Sequence, residues 1–168
     1  MKIVKNFFQL SLVFVIIFLT GCAVQRYHKR AGEMPSASAG AGAVSGAFQW
    51  PLQGRVVYPF GAKEDGITLK GIVVEGSEGQ EVRASRDGQV VLVDEGLRGY
   101  GRTLILDHDG VFSTVYARNS EILVSTGQRV RQGQAIARVG RAGKGGIPRA
   151  YFEIRKMARP EDPLAYLR

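Results

Sequence analysis

Apolar residues fall into two textures along the chain. Near the N-terminus they run together: from Phe7 to Leu19 only Gln9 and Ser11 interrupt a stretch of Phe, Leu, Val and Ile. From Phe48 onward they come instead in short β-rich stretches punctuated by glycine. Gln89–Val93, Thr103–Leu106, Ser113–Tyr116, Gln134–Val139 and Tyr151–Ile154 are each four to six residues long and bounded by Gly, Asp or Asn. That is the texture of strands joined by turns. No stretch after residue 48 keeps a helical period for three turns. Arg86-Asp87-Gly88 and Asp107–Gly110 read as hairpin turns, with glycine supplying positive φ. The pattern predicts an all-β domain of antiparallel hairpins over residues 48–168.

The folded part echoes itself. Gly79-Gln80-Glu81-Val82-Arg83 followed by Gly88-Gln89-Val90 matches Gly127-Gln128-Arg129-Val130-Arg131 followed by Gly133-Gln134-Ala135-Ile136. Each copy is a turn, an outward polar pair flanking an inward Val, a second turn, then a strand. Biotinyl and lipoyl carrier domains share this pattern, but a carrier needs a lysine at the tip of an exposed hairpin. The hairpins here carry Arg-Asp-Gly and Arg-Gln-Gly, which argues against that role.

The N-terminal apolar run is too short to cross a bilayer as a helix, which takes roughly 20 residues. Preceded by Lys2 and Lys5, it reads as a secretory signal over residues 1–21. It ends Leu19-Thr20-Gly21-Cys22, which resembles the lipobox of bacterial lipoproteins. The resemblance implies cleavage after Gly21 and a lipid anchor on Cys22. Ala23, not Asp, follows the cysteine, which goes with the outer membrane, the domain facing the periplasm. Residues 23–47 are rich in Ala, Gly and Ser, with a basic cluster of Arg26, Lys29 and Arg30. They read as a flexible tether with an r.m.s. span of about 27 Å.

Charge and the rarer side chains narrow the chemistry. The chain carries a formal net charge of +8, and setting aside residues 1–21, with two lysines and no acid, leaves +6. One cysteine closes no internal disulfide. The two histidines, His28 in the tether and His108 in the Asp107–Gly110 turn, leave little for a metal site. Glycines Gly143, Gly145 and Gly146 around Lys144 suggest a mobile loop.

Read in order, the domain resembles the LytM or lysostaphin-like zinc metallopeptidases. The resemblance rests on Trp50-Pro51, Tyr58-Pro59-Phe60-Gly61, Lys70-Gly71-Ile72, Gly99-Tyr100-Gly101, Tyr116-Ala117, Gly127-Gln128, Phe152-Glu153-Ile154-Arg155 and Asp162-Pro163. It implies an antiparallel lysostaphin-like β-sheet core, barrel-sandwich-like in form. Active members cut peptidoglycan cross-links with one zinc, held by a His-x-x-x-Asp pair and the second His of a His-x-His. Flanking residues place those positions at Leu69 and Val73 for the first pair, at Arg118 after Tyr116-Ala117, and at Arg149 and Tyr151 for the His-x-His. Leu and Val offer no lone pair, arginine does not deprotonate, and a lone tyrosine is a poor zinc ligand. No catalytic residue, metal or cofactor is therefore expected, and His108 is expected to be structural.

A groove lined by Leu69, Val73, Arg118, Arg149 and Tyr151 has the composition of a peptide-binding hot spot. Composition alone accounts equally for unselected filling of a vacated metal site. A second resemblance favours binding. Tyr116–Val124 and Arg149–Arg155 are similar to the murein hydrolase activators of the NlpD and EnvC group, LytM domains without the ligands. That resemblance implies a protein that cuts nothing. Its partner would be an N-acetylmuramoyl-L-alanine amidase, relieved of autoinhibition during peptidoglycan remodelling and daughter-cell separation. Arg118 and Arg149 would pair with partner carboxylates, while Leu69, Val73 and Tyr151 take an apolar anchor. The alternative is a lipid-tethered peptidoglycan-binding or scaffolding protein, for which the positive charge suits an anionic wall. A zinc endopeptidase is the least favoured reading, and no nucleic-acid partner is expected.

Overall fold

The computed structural model describes residues 47–141 and 145–168. The signal segment, Cys22, all but the last residue of the tether, and residues 142–144 of the glycine-rich loop lie outside them. Within the described residues the strands are β1 Arg55–Tyr58, β2 Lys63–Glu64, β3 Ile67–Thr68, β4 Ile72–Glu75, β5 Glu81–Arg83, β6 Gly88–Leu97, β7 Gly101–Asp107, β8 Phe112–Ala117, β9 Asn119–Ile122, β10 Arg129–Val130, β11 Ala135–Val139, β12 Arg149–Lys156 and β13 Arg159–Glu161. One 3-10 turn, Pro163–Ala165, follows, capped by the Asp162 carboxylate.

The large sheet runs β1-β4-β12-β8-β7-β6-β10, with β13 also on β12. A small sheet, β5-β11-β9, lies apart from it, and β2 and β3 form a hairpin of their own. All the strand pairs are antiparallel. The described domain is all-β, as the short β-rich stretches between turn residues predict. Three strands run longer than the expected four to six residues: β6 has ten, β7 seven and β12 eight. The Asp94–Gly96 segment, polar and ending in glycine, sits inside the β6–β7 hairpin as an irregularity in its register. The Asp94 carboxylate accepts the Gly96 N–H there at 2.8 Å.

Period-two alternation assigns the two faces of the large sheet. In β12, Ala150, Phe152 and Ile154 face inward with Ile72 and Val74 of β4 and Leu104 and Leu106 of β7. Val82 of β5 and Ile136 and Val139 of β11 meet them from the small sheet. Tyr151, Val73 of β4 and Ala117 of β8 face the other way, in a separate cluster with Leu69. Phe48 is fully buried. It pairs with Leu167 and packs edge-on against Phe112, His108 and Tyr166.

The two expected hairpin turns differ. Asp107–Gly110 does join the paired strands β7 and β8, and Gly110 has φ +72°. Arg86-Asp87-Gly88 is not a hairpin: β5 pairs with β11, whereas β6 pairs with β7 and β10. The segment carries the chain from one sheet to the other. Gly88 is there for space, because a Cβ would lie 2.4 Å from the Asp107 carbonyl oxygen and 2.7 Å from His108 Nδ1.

The echo has a physical basis, which appears once in its first copy and twice in its second. Gln80, Gln128 and Gln134 each follow a glycine of positive φ. Each turns its side-chain oxygen back to accept the N–H three residues earlier, at 2.8–3.1 Å. His108 is 5% exposed, its Nδ1 2.7 Å from the Asp87 carbonyl and its Nε2 2.7 Å from the Thr114 hydroxyl. Thr114 reaches the Tyr116 hydroxyl, which accepts the Ser85 N–H. With the imidazole neutral, Nδ1 donates and Nε2 accepts, and the hydrogen bonds of the chain run one way. Burial holds the His108 pKa below the ordinary 6.5. His108 is a structural residue of the core.

Candidate functional site

The outer face of the large sheet brings the five singled-out residues together. Val73 and Tyr151 are register partners across β4 and β12, and Tyr151 is opposite Ala117 of β8. Leu69, Val73 and Tyr151 share one apolar cluster, joined at its edge by Val57, Tyr58 and Tyr100. A register shift in β1 between Val56 and Tyr58 lets Val56 serve the inner core and Val57 and Tyr58 the outer cluster. Gly71 gives the floor its closeness, since a Cβ there would lie 2.2 Å from the Phe152 carbonyl oxygen.

Arg118 reaches this floor by an unusual backbone. Its φ is +63°, a left-handed conformation costing a non-glycine residue on the order of 1–3 kcal/mol. Hydrogen bonds fix it on both sides: its N–H donates to Tyr100 at 2.9 Å, and its carbonyl accepts from Gly140 at 3.0 Å. The guanidinium then lies 5.8 Å from the Tyr151 ring centre. Arg149, at the start of β12, lies 5.6 Å over the Tyr58 ring. Tyr100 meets Tyr151 edge-on at 5.4 Å.

Beneath the arginines sits a buried carboxylate. Glu153 is wholly enclosed, accepting the Tyr151 hydroxyl at 3.0 Å and Arg155 Nε at 2.6 Å. Burial, and then the charge of Glu153, push the Tyr151 phenol far above its ordinary pKa. Tyr151 is thus held as a neutral donor. A cavity of about 270 Å³ opens above it, lined by Ile67, Leu69, Arg98, Tyr100, Arg118 and Tyr151.

Glu64 is the site residue that the sequence reading missed. Arg118 donates to it through both terminal nitrogens, Nη1 to Oε1 at 3.1 Å and Nη2 to Oε2. Arg149 Nη1 stands 4.0 Å from the same Oε1. The two arginines expected to await a partner's carboxylate are therefore both turned to a carboxylate of their own chain. The Asp65-Gly66 doublet was the available signal. Its positive φ values of +49° and +79° make the two-residue turn of the β2–β3 hairpin, which places Glu64 beside the groove.

The donor set does not suit zinc. Leu69 and Val73 present hydrocarbon, Arg118 and Arg149 present cations, and the Tyr151 phenol is held protonated, so no tetrahedral N/O/S set exists at this spot. Among the described residues, no group of three His, Cys, Asp or Glu side chains could hold a metal ion elsewhere.

Residues 68–163 match Peptidase family M23. The murein hydrolase activator NlpD of Escherichia coli is 42% identical over 120 residues, 71% of this chain and 31% of that protein. The murein hydrolase activator EnvC of E. coli is 40% identical over 133 residues, 79% of this chain and 32% of that one. A lipoprotein NlpD/LppB homolog of Pseudomonas aeruginosa is 39% identical over 127 residues, 76% and 42% of the two chains. The chain thus spans about a third of the length of the first two relatives. Among solved structures, a zinc-containing peptidase from Vibrio cholerae superposes with a TM-score of 0.62 at 28% identity, over 70% of this chain and 39% of that one. Lysostaphin from Staphylococcus simulans shares the fold, with a TM-score of 0.65 at 23% identity, over 74% and 55%.

Proposed function

The chain belongs to peptidase family M23, and from that premise we propose that it is a non-catalytic member, a murein hydrolase activator. Its client in this reading is an N-acetylmuramoyl-L-alanine amidase, and its task is peptidoglycan remodelling at daughter-cell separation. The observation that carries the reading is the conversion of one site. The scaffold that holds zinc in active relatives is intact here, yet its donor positions hold Leu69, Val73 and Tyr151 as a buried apolar floor, with the partly exposed Arg118 and Arg149 at the surface beside it. Such a surface recognises a peptide segment with an apolar anchor and an acid. Capturing an amidase's blocking segment favours the amidase's open state, provided the segment binds better when displaced. The relatives named murein hydrolase activators support this reading.

The anchor belongs to the same proposal. Cys22 carries the lipid, residues 22–47 tether the domain, and the protein sits on the outer membrane facing the periplasm. The lipoprotein name of the P. aeruginosa relative supports it. Mass spectrometry should find the mature N-terminus acylated at Cys22 and unmodified after Cys22→Ala.

The test of function is dye release from labelled peptidoglycan. The full-length chain in detergent is assayed alone and with each periplasmic amidase of its host. Release with one amidase only, lost in Arg149→Glu, is the expected result. Release by the chain alone, abolished by chelator, overturns the non-catalytic reading. No release in any pairing, with retention on sacculi that Arg118→Ala weakens, replaces the amidase by peptidoglycan itself.

A further inference from the structure

The β2–β3 hairpin is built in a way that its own stability does not explain. Two residues per strand is far below what a hairpin needs to stand alone. Of residues 63–68, five are exposed, Ile67 among them, and only Glu64 is withdrawn from solvent. Its side chain is 14% exposed. A hairpin is ordinarily tacked down by an apolar residue; this one is tacked down by a charge. Backbone bonds hold its base, Gly61 N–H to Leu69 at 3.0 Å and Leu69 N–H to Ala62 at 2.8 Å. Beyond the base, the one inward-turned side chain ends on Arg118 and Arg149.

From this geometry we propose that Arg118 and Arg149 form a carboxylate-recognition site, and that Glu64 is its internal occupant, a plug that the partner's own carboxylate displaces. This deepens the activator reading and rests on it for the partner's identity. Charge complementarity decides the occupant's chemistry. Two cations, 21% and 25% exposed, are costly to leave unpaired once the groove is covered. Whatever removes Glu64 must therefore bring an acid to the same place. The adjoining cavity, with Leu69, Tyr100 and Tyr151 on its wall, takes a large apolar side chain beside that acid. The occupant is thus a segment in which Asp or Glu neighbours a bulky apolar residue. The arrangement also restrains binding: a groove already filled by Glu64 rejects apolar peptides that carry no acid.

Binding of the amidase to the full-length chain in detergent tests the exchange. The wild type is compared with Glu64→Gln, which keeps size and removes charge, and with Glu64→Ala. Displacement of a plug taxes affinity by the fraction of time the site is open, so both variants should bind about tenfold tighter. Binding that is unchanged or weaker in Glu64→Gln, with thermal stability preserved, overturns the plug and makes Glu64 a brace for the arginines. A second readout needs no amidase. In side-chain NMR, sodium acetate should shift the Arg118 Nε–Hε signal saturably in Glu64→Gln and leave it unmoved in the wild type at the same concentrations. An unresponsive Glu64→Gln overturns the carboxylate site. A wild type that binds no amidase while Glu64→Gln answers acetate refutes the client and leaves the plug standing.

Discussion

Neighbouring residues of β12 belong to two different kinds of surface. Phe152 points into a cluster of nineteen buried apolar residues among the described residues, supplied by both sheets. Tyr151, one position earlier, points into a cluster of four, edged by two arginines, a plugging glutamate and a buried carboxylate. The inner face is closed by hydrocarbon, and its polar chain from Asp87 through His108 to Ser85 runs inside it. The outer face is closed by charges that answer one another. Apolar burial is non-directional and tolerates no guest; paired charge is directional and can change partners. Stability therefore resides on one side of the sheet and recognition on the other.

The largest effects should separate the two faces. Phe152→Ala should cost about 3–5 kcal/mol of stability, the price of an unfilled aromatic site in a core, read as a fall in the denaturant midpoint. Tyr151→Phe, next door, removes one of the two hydrogen bonds to enclosed Glu153 and should cost about 1–3 kcal/mol. Equal losses would mean the faces share one core. Gly140→Ala comes next. A Cβ there would lie 2.7 Å from the Arg118 carbonyl oxygen and 2.8 Å from Ser120 N, so the strands must shift at about 1–3 kcal/mol. Because the shift carries Arg118 with it, amidase binding should fall along with stability. A loss of stability alone would detach Arg118's backbone from the site.

Much of this was legible in the sequence, and the rest was hidden for identifiable reasons. Strand texture is a local property, so the stretches around Val90, Leu104, Val115 and Phe152 could be read directly, and the family motifs singled out five residues that lie together on one side of the large sheet. Pairing is not local. Arg86-Asp87-Gly88 has the composition of a hairpin turn, yet the next strand joins another sheet, and only tertiary packing decides that. Glu64 was missed for a related reason. In sequence it is one of many acids, 54 positions from Arg118; the neighbouring Asp65-Gly66 doublet announces a turn but not the partner that the turn brings Glu64 to.

A smaller effect probes the polar chain of the inner face. His108 is held neutral by burial, against the raising influence of the Asp87 carbonyl and of Asp107 and Asp109, with Arg86 acting in the same sense as burial. Its folded pKa is below its unfolded one, so the unfolded chain binds more protons in the intervening range. The stability it contributes is present above about pH 6.5 and is lost as pH falls from there through the lowered folded pKa. The denaturant midpoint of the wild type should drop between pH 7.5 and 5.5 by more than that of His108→Gln. Parallel drops would show that His108 is not the group whose protonation weakens the fold in this range.

The smallest effect sharpens the comparison within the outer face itself. Arg55 and Glu75 form an ion pair at 3.1 Å between β1 and β4, with side chains 76% and 33% exposed. Arg118 and Glu64 are 21% and 14% exposed and meet through two nitrogens and two oxygens. Both are Arg–Glu pairs, so chemistry is held constant while solvent access changes. Water screens the first and side-chain entropy opposes it, so Arg55→Ala should move stability by no more than about 0.5 kcal/mol. A double-mutant cycle on Arg55 and Glu75 should give coupling near zero, and the cycle on Arg118 and Glu64 a clearly larger value. That second coupling measures how firmly the hairpin is held over the groove, and hence what an arriving carboxylate must match. If the two cycles agree, the hairpin is loose at rest, and Glu64 restrains nothing.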